Sequence, residues 1–322
     1  MLSIIVNLML MCEKNQVMKM ENGRRAIDLF AKKAGYLVVC LIIFIILWGC
    51  AVAPQKLKIK GMPDAFDEGA IISTQKAAAI SFEELLIDLE RSRVIYVGEK
   101  HTSQEDHKIQ LKIIQALYQK FPNLVIGMEM FDHSYQDVLD QWSAGELSRK
   151  DLIQKAHWYA NWRYDFSLYQ DILDFIKEKR LRLIGLNIPN YIPPRIREGG
   201  IDSLRDDEKK HLPLQLDTTN TDHRDFVQSV FENHQHHFRG EVAFENFYAA
   251  QVVWEDAMAE TIAENLNNYV MVVLAGNGHI QFKYGIPDRA YKLTGAVFKT
   301  LYPASAGDEV APDIADYVWV TQ

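Results

Sequence analysis

Val94-Ile95-Tyr96-Val97-Gly98-Glu99-Lys100-His101 marks a change in the spacing of apolar residues, from that of a strand to that of a helix. The first four residues are β-branched or aromatic and predict a short buried strand, which Gly98 ends. A helical apolar stripe then runs from Ile109 to Tyr118, and Pro122 stops it. A strand period followed directly by a helix period is typical of an α/β unit.

The same alternation continues along the rest of the chain. Further strands are predicted at Leu124–Met128, Leu181–Leu186 and Val270–Leu274. Helices are predicted at about 81–89, 133–142, 148–156 and 166–179, and the stretch at about 190–267 is mainly helical. We therefore expect a three-layer α/β/α fold with a mainly parallel sheet and an additional helical subdomain.

All four predicted strands run into polar residues. These residues are Glu99, His101, Glu129, Asn187, Asn277 and His279. Because ligands of a parallel sheet bind beyond the carboxyl ends of its strands, we expect these side chains to share one rim. Glu and His together can bind a metal, activate water or contact an anionic cofactor, and spacing alone leaves these alternatives open. The sequence contains no His-Glu-x-x-His and no Gly-x-Ser-x-Gly motif.

Two other groups of residues have both a structural and a functional interpretation. The aromatic residues Trp158, Trp162, Tyr164, Phe166 and Tyr169 either begin a helix packed on the core or form a flat wall for a planar ligand. The imidazoles of His234, His236 and His237 are either solvated or able to bind a metal or haem iron.

The N-terminal part has the order of an export signal. Arg24, Arg25, Lys32 and Lys33 precede the apolar run Leu37–Trp48, which is shorter than the roughly 20 residues that a spanning helix needs. Leu47-Trp48-Gly49-Cys50 resembles a lipobox, although Trp48 is bulky for that motif. We expect a removable leader over 1–49, lipidation at Cys50, a tether over 50–74 and one domain over 75–322. A retained transmembrane anchor is the alternative.

Cysteine usage and charge limit the function further. Cys12, Cys40 and Cys50 all lie at or before the expected cleavage point, so the mature domain has no internal disulfide. The net charge of −8 gives no basic surface for a nucleic-acid backbone, and we expect no nucleic-acid partner.

The chain resembles the ChaN-like haem-binding lipoproteins, a branch of the superfamily that also holds Tiki/TraB-type proteins and erythromycin esterase. The resemblance covers about residues 80–295. It rests on segments 97–101, 127–131, 158–169, 185–189, 251–260 and 274–279, which occur in the same order.

The resemblance implies haem as the cofactor, attachment to a bacterial membrane and a role in haem or iron acquisition. The expected haem contacts are Glu99, His101, Glu129, Trp162, Tyr164, Tyr169, Asn187, Tyr191, Asn277 and His279. The axial ligand is expected among the Tyr and His residues, because no Cys is available. Arg195 and Arg197 are expected near the haem propionates.

The alternative is a metal-dependent hydrolase, a peptidase or esterase, holding Zn or Mn through His101 and His279. Glu99 or Glu129 would then be the general base. We favour a binding protein over an enzyme. We expect its anchor in the bacterial cell envelope, with the outer membrane and periplasm favoured, and we leave a homodimer sharing haem as an open possibility.

Overall fold

The computed structural model of the protein describes residues 55–233 and 241–322. The expected leader over 1–49, the lipidation site Cys50 and the imidazoles at 234–237 lie outside the described residues. No helix among those described is long and apolar enough to cross a membrane.

The described chain alternates strands and helices, as the sequence predicts. The strands are β1 Leu57–Ile59, β2 Ala65–Phe66, β3 Ile71–Ser73, β4 Ala78–Ile80, β5 Val94–Val97, β6 Val125–Asp132, β7 Arg182–Asn187, β8 Met271–Leu274, β9 Phe298–Ser305, β10 Glu309–Val310 and β11 Tyr317–Thr321. The helices are α1 Phe82–Leu89, α2 Gln104–Lys120, α3 Gln136–Ser143, α4 Arg149–Lys155, α5 Trp158–Asn161, α6 Gln170–Lys179, α7 Ile192–Gly199, α8 Asp206–Lys209, α9 Thr221–Asn233, α10 Glu241–Leu266, α11 Asn277–Ile280 and α12 Ile286–Thr294.

Eight of these strands form the central sheet, in the order β4-β3-β11-β9-β5-β8-β6-β7. The strands from β11 to β7 are all parallel to their neighbours, and the hairpin β3-β4 adds two antiparallel strands at one edge. A smaller sheet has the order β10-β1-β2. The mainly parallel sheet is therefore confirmed.

Successive residues of the central strands face two separate layers of helices. Ile95 and Val97 join the cluster that contains Ile113 of α2 and Ile176 of α6. Val94 and Tyr96 join the cluster that contains Met258 and Ile262 of α10 together with Ile286 of α12. Because both faces are covered, β5 reads as a continuous apolar run, and the predicted three-layer α/β/α arrangement is confirmed.

Helix α10 is apolar on more than one side because it separates the sheet from a helical subdomain. Its Met258 packs on the sheet, whereas Val253 and Ala257 pack against Ile192 and Ile196 of α7. The predicted helical stretch at 190–267 thus contains α7 to α10 and forms one wall beside the sheet.

The structure corrects the extent of the expected tether. Within 55–74, strands β1 and β2 build the small sheet, and β3 pairs with β11 of the central sheet. Leu57, Ile59 and Ile72 are fully or almost fully buried. This part of the expected tether is therefore folded onto the domain, because its apolar residues find partners in strands near the C-terminus.

Candidate functional site

The carboxyl ends of β5, β6 and β8 bring Glu99, His101, Glu129 and His279 to one rim, as the sequence predicts. Glu129 Oε2 accepts a hydrogen bond of 2.7 Å from the backbone N–H of Gly276, just after β8. His279 Nε2 lies 3.5 Å from Glu129 Oε1. A carbon placed at the Cβ position of Gly276 would lie 2.7 Å from Cε1 of His101. The residues that follow three neighbouring strands are thus in direct contact.

Glu99 is a buried carboxylate with several hydrogen-bond donors. His101 Nδ1 lies 2.8 Å from its Oε1, the Tyr169 hydroxyl donates to the same oxygen at 2.5 Å, and Gln110 Nε2 donates to Oε2 at 2.8 Å. Burial alone would raise the pKa of Glu99, but hydrogen bonds and charges from His101 and His107 outweigh it and lower the pKa to about 2. Glu99 is therefore ionised, and Nδ1 of His101 carries a proton towards it. Burial would lower the pKa of His101, but the hydrogen bond to Glu99 and the charges of Glu129 and Glu99 outweigh it and raise the pKa.

The start of α2 places the groups that surround Glu99. Ser103 caps this helix by accepting a hydrogen bond of 3.2 Å from the N–H of Asp106. The first turns then carry His107 and Gln110 inward, where both are buried. The His107 ring packs against Tyr169 with a centroid distance of 4.3 Å, and its Nε2 lies 3.4 Å from Glu99 Oε2. An ordinary helix cap thus fixes the environment of the carboxylate.

His279 lies between two carboxylates. Its Nε2 faces Glu129, and its Nδ1 lies 3.2 Å from Oε1 of Glu255. Burial would lower the pKa of His279, but the charges and hydrogen bonds of Glu129 and Glu255 outweigh it and raise the pKa to about 10. Burial would raise the pKa values of Glu129 and Glu255, but both are lowered. For Glu129 the main cause is His279, and for Glu255 the main causes are His223 and His279. His279 is therefore an imidazolium at neutral pH.

The buried charges continue behind Glu255 to the other side of α10. His223 Nε2 lies 2.9 Å from Glu255 Oε2, and His223 Nδ1 lies 3.1 Å from Nη2 of Arg289. Arg289 then donates to Asp256 Oδ1 at 2.6 Å. These four residues are less than 8% exposed, so the carboxylates of Glu255 and Asp256 depend on buried Arg289 and on their neighbours for compensation.

A cleft of about 340 Å³ opens beside this rim, within the size range of small-molecule sites. It is lined by His101, Glu129, Asn161, Trp162, Arg163, Tyr164, Asn187, Asn190, Pro193, Pro194, Arg197, Phe247, Ala250, Gln251 and Trp254. The His101 ring contacts Trp162 edge-on at a centroid distance of 4.7 Å and lies 5.1 Å from the Tyr164 ring. The cleft therefore has a polar floor and a largely aromatic wall.

The predicted site residues divide into two groups in the structure. His101, Glu129, Trp162, Tyr164 and Asn187 line the cleft. The other five, Glu99, Tyr169, Tyr191, Asn277 and His279, do not line it.

Each of those five is held outside the cleft for an identifiable reason. Tyr169 is fully buried with its hydroxyl on Glu99, Asn277 donates to the carbonyl of Pro303, and Tyr191 is 45% exposed. Glu99 and His279 lie behind the residues that form the floor.

The two arginines proposed for an anionic group also differ. Arg195 is paired with the buried carboxylate of Glu208 at 2.8 Å, whereas Arg197 lines the cleft. Arg163, which the sequence analysis did not single out, lines the cleft as well and is exposed. The exposed edge of the cleft therefore carries the guanidinium groups of Arg163 and Arg197.

Sequence reasoning missed Gln110, Trp254, Glu255, His223 and Arg289 as parts of the site. Trp254 donates from Nε1 to Asn187 Oδ1 at 2.7 Å and packs edge-on against His279. Trp254 and Glu255 belong to segment 251–260, one of the segments that carried the family resemblance, and that signal was available. His223, Gln110 and Arg289 come from helices with no distinguishing local pattern.

The geometry weighs against His101 and His279 as a shared metal site. Among the described residues, no group of three or more His, Cys, Asp or Glu side chains is arranged to hold a metal ion. Both ring nitrogens of His279 already face carboxylates. His101 has one nitrogen on Glu99 and one remaining.

Comparison with known protein families identifies the class of protein. The fold and the rim are those of an α/β protein with a ligand cleft beyond its strands, and the family model described as "Haem-binding uptake, Tiki superfamily, ChaN" matches residues 85–290. This chain belongs to that family, and the resemblance seen in the sequence is confirmed.

One solved structure of the same family agrees at the level of the fold. The structure described as cofacial haem binding to ChaN of Campylobacter jejuni has a TM-score of 0.63 and 20% identity, covering 77% of this chain and 95% of that one. A mutant erythromycin esterase, EreC, in its open conformation has a TM-score of 0.43 and 16% identity, covering 74% of this chain and 76% of that one, which is too distant for a functional comparison. No curated protein matches the chain.

Proposed function

We propose that this protein binds haem in the cleft at the carboxyl end of the sheet. The observation that carries the proposal is the combination, in one cleft, of an aromatic wall, candidate iron ligands and exposed guanidinium groups. Membership of a family described as haem-binding supports it.

The residues of the cleft fit the chemistry of haem. Trp162, Tyr164 and Trp254 offer aromatic surface for a planar apolar ring system. Arg163 and Arg197, where the cleft meets solvent, suit the two propionates, because a guanidinium matches a carboxylate bidentately. Bound haem would supply an iron atom that accepts an axial nitrogen or oxygen ligand, and both donor types line the cleft.

We further propose that the protein is a lipoprotein anchored through Cys50 in the bacterial envelope and acts in haem or iron acquisition. The support is the order of charged residues, apolar run and Cys in the N-terminal sequence. Several acyl chains on one residue would anchor the domain firmly, whereas one chain binds only marginally. Growth on haemin as the sole iron source, compared between cells carrying the wild-type chain and Cys50→Ala, tests both roles. Unchanged growth and unchanged membrane fractionation would contradict them.

A matched pair of substitutions on α10 tests haem binding in the cleft. Ala250 lines the cleft, whereas Ala263 lies on the same helix and faces a different surface depression. In an absorbance titration of the full chain with haemin, Ala250→Phe is expected to weaken binding at least about tenfold, the equivalent of 1.4 kcal/mol. Ala263→Phe is expected to bind as the wild type does. Equal affinity of both variants would place haem elsewhere.

The alternative function is a metal-dependent hydrolase that uses the Glu and His residues of the rim. One observation favours it, namely that Glu99, His101, Glu129 and His279 do meet. It would need Zn or Mn bound in a stoichiometric amount and turnover of a peptide or ester that is lost in Glu99→Gln. Metal analysis of the purified full chain decides whether this alternative is worth pursuing.

A further inference from the structure

We propose that His133 and His211 bind a divalent transition-metal ion, of the class of Ni²⁺, Zn²⁺ or Cu²⁺, beside the β7 edge of the central sheet. Imidazole nitrogen is a common ligand of all three metals. Neither residue lines the cleft, so this site is separate from the one to which the proposed function refers.

Two imidazole rings from distant parts of the chain face each other at this place. His133 directly follows β6, and His211 lies in the connection between α8 and α9. Nε2 of His133 and Nδ1 of His211 are 3.1 Å apart, and the planes of the two rings differ by 21°. Both side chains are partly buried. The fold therefore brings two metal-binding side chains into direct contact.

The separation of the two nitrogens suits a shared ligand. In the structure the contact is that of an N–H···N hydrogen bond, in which one ring donates and the other accepts. A metal ion with bonds of about 2.0 Å to both nitrogens needs them about 3.3 Å apart at the tetrahedral angle and about 2.8 Å apart at a right angle. The observed 3.1 Å lies between these values. Rotation of the two rings would thus allow a metal ion to replace the shared proton.

The electrostatic surroundings of the pair also suit a metal ion. Asp132 and Glu264 both act on His133 as negative charges. Burial and the neighbouring His211 nevertheless lower the pKa of His133. The imidazole of His133 is therefore neutral at neutral pH, which is the form that binds metals.

Glu264 of α10 is the candidate for a third ligand. Its side chain is exposed, and no hydrogen bond or ion pair engages it within residues 55–233 and 241–322. Glu260, one helical turn earlier, accepts from the backbone N–H of Leu214 at 3.3 Å, so the segment after His211 runs along the face of α10 that carries Glu264. No three such side chains already surround one point in the described ranges, and water would complete the coordination.

A metal ion at this site would hold the helical subdomain against the sheet. Leu212, next to His211, packs against the cluster that contains Ile192 of α7 and Val253 of α10. Helix α7 also contributes Pro193 to the wall of the cleft. Because the two histidines are 78 positions apart in the sequence, only the folded chain brings them together. Metal binding should therefore stabilise the folded chain.

Titration calorimetry of the full chain with NiCl₂ at neutral pH tests the site. A glutamine side chain can still hydrogen-bond to the opposite imidazole but lacks the imidazole lone pair. We expect His133→Gln and His211→Gln each to weaken Ni²⁺ binding at one site at least about tenfold, because even groups that only support a metal ligand contribute about 10–100-fold. His157→Gln, which alters an exposed histidine outside the pair and the cleft, is the matched control and should bind as the wild type does.

Electron paramagnetic resonance of the Cu²⁺-loaded chain gives a second readout that is independent of affinity. Nitrogen hyperfine structure from two imidazoles is expected in the wild type and from one in either Gln variant. The urea midpoint should rise with added Ni²⁺ in the wild type and not in the two variants. Equal midpoints of all chains without metal would show that the variants are folded and have lost a ligand only.

Wild-type Ni²⁺ binding in both His133→Gln and His211→Gln would overturn the proposal and leave the pair as a hydrogen bond only. Binding that is weakened equally by His157→Gln would also overturn it, because the metal would then be held elsewhere. Haemin affinity should be the same in all four chains. A failure of the haem proposal therefore leaves this site standing, and a failure of this site leaves the haem proposal standing.

Discussion

The rim has two halves in which the same residue types behave in opposite ways. In the open half, formed by Glu99 and His101, the imidazole has one nitrogen on a carboxylate and one side in the cleft. In the closed half, formed by His279, Glu255, His223 and Arg289, the imidazole of His279 has a carboxylate at each nitrogen and lies outside the cleft lining. A Glu and a His at a strand end therefore do not define a role by themselves.

The difference comes from what covers each half. Helix α10 brings Glu255 onto the second nitrogen of His279 and Trp254 onto its ring. The aromatic residues before α6 contact the His101 ring but leave the cleft beside it. A buried ionic cluster holds packed elements in place, although burying its charges costs desolvation energy. An imidazole with a free nitrogen can bind a ligand.

The largest expected effect is the loss of stability when Arg289, at the end of the closed half far from the cleft, is replaced. Arg289→Met leaves Asp256 without its buried cation and Glu255 with His279 as its remaining one, and it should lower the free energy of unfolding by about 3–5 kcal/mol. Urea unfolding at pH 7 measures this loss. Lys292→Met is the control, because its partly exposed pairs with Asp217 and Asp288 should contribute only about 0–1 kcal/mol. Equal losses in the two variants would mean that the closed half is not a coupled ionic structure.

The pH dependence of stability should report on His279 at alkaline pH and on the buried carboxylates, Glu99 among them, at acid pH. The raised pKa of His279, about 10, means that its contribution is complete below the unfolded value near 6.5 and is lost as pH rises through 10. The lowered pKa of Glu99, about 2, means that its contribution is complete above 4.5 and is lost as pH falls towards 2.

We therefore expect His279→Gln to reduce stability at neutral pH and to flatten the decline between pH 7 and 10. Glu99→Gln should instead weaken the dependence below pH 4.5 and keep the alkaline decline. Urea unfolding midpoints across the pH range provide the measurement. An alkaline decline that persists unchanged in His279→Gln would show that its charge has been misassigned.

A smaller effect is expected where the two halves meet. Gly276→Ala would place a Cβ 2.7 Å from His101, and such crowding in a packed interior costs about 1–3 kcal/mol. Haemin affinity should fall as well, because the ring must move. Gly278→Ala, two residues further along, is the control. Its new Cβ would meet no atom within 4 Å, so stability and haemin affinity should not change. Identical haemin affinities of the two variants would mean that the position of the His101 ring has no influence on haem binding.

The fold was predicted best for those strands that are apolar along their whole length. Val94–Val97, Val125–Met128 and Met271–Leu274 are buried on both faces, so local composition identifies them. Strands β1 to β4 have two or three residues each; β1 pairs with β10 and β3 with β11, and β2 and β4 then pair with β1 and β3. Strand β9 carries Lys299 and Pro303, which obscure its pattern. Pairing over such sequence distances leaves no local signal.

The candidate site was predictable to the same extent. Residues that directly follow strands, such as Glu99 and His279, were found because topology alone places them at the rim. Whether both ring nitrogens of a histidine are occupied depends on α10 and α12. These helices come from distant parts of the sequence and carry Glu255 and Arg289. The hydrogen bond from the Tyr169 hydroxyl to Glu99 was not predicted, since the burial of a particular tyrosine depends on packing between distant parts of the chain.

The most direct test of this account is the position of iron in crystals of the full chain grown with haemin, read from an anomalous difference map at the iron edge. We predict one strong peak in the cleft bounded by Trp162, Tyr164 and Trp254 and away from His279. An iron peak outside the cleft, or a map with no iron and a transition metal held between His101 and His279, would contradict the account.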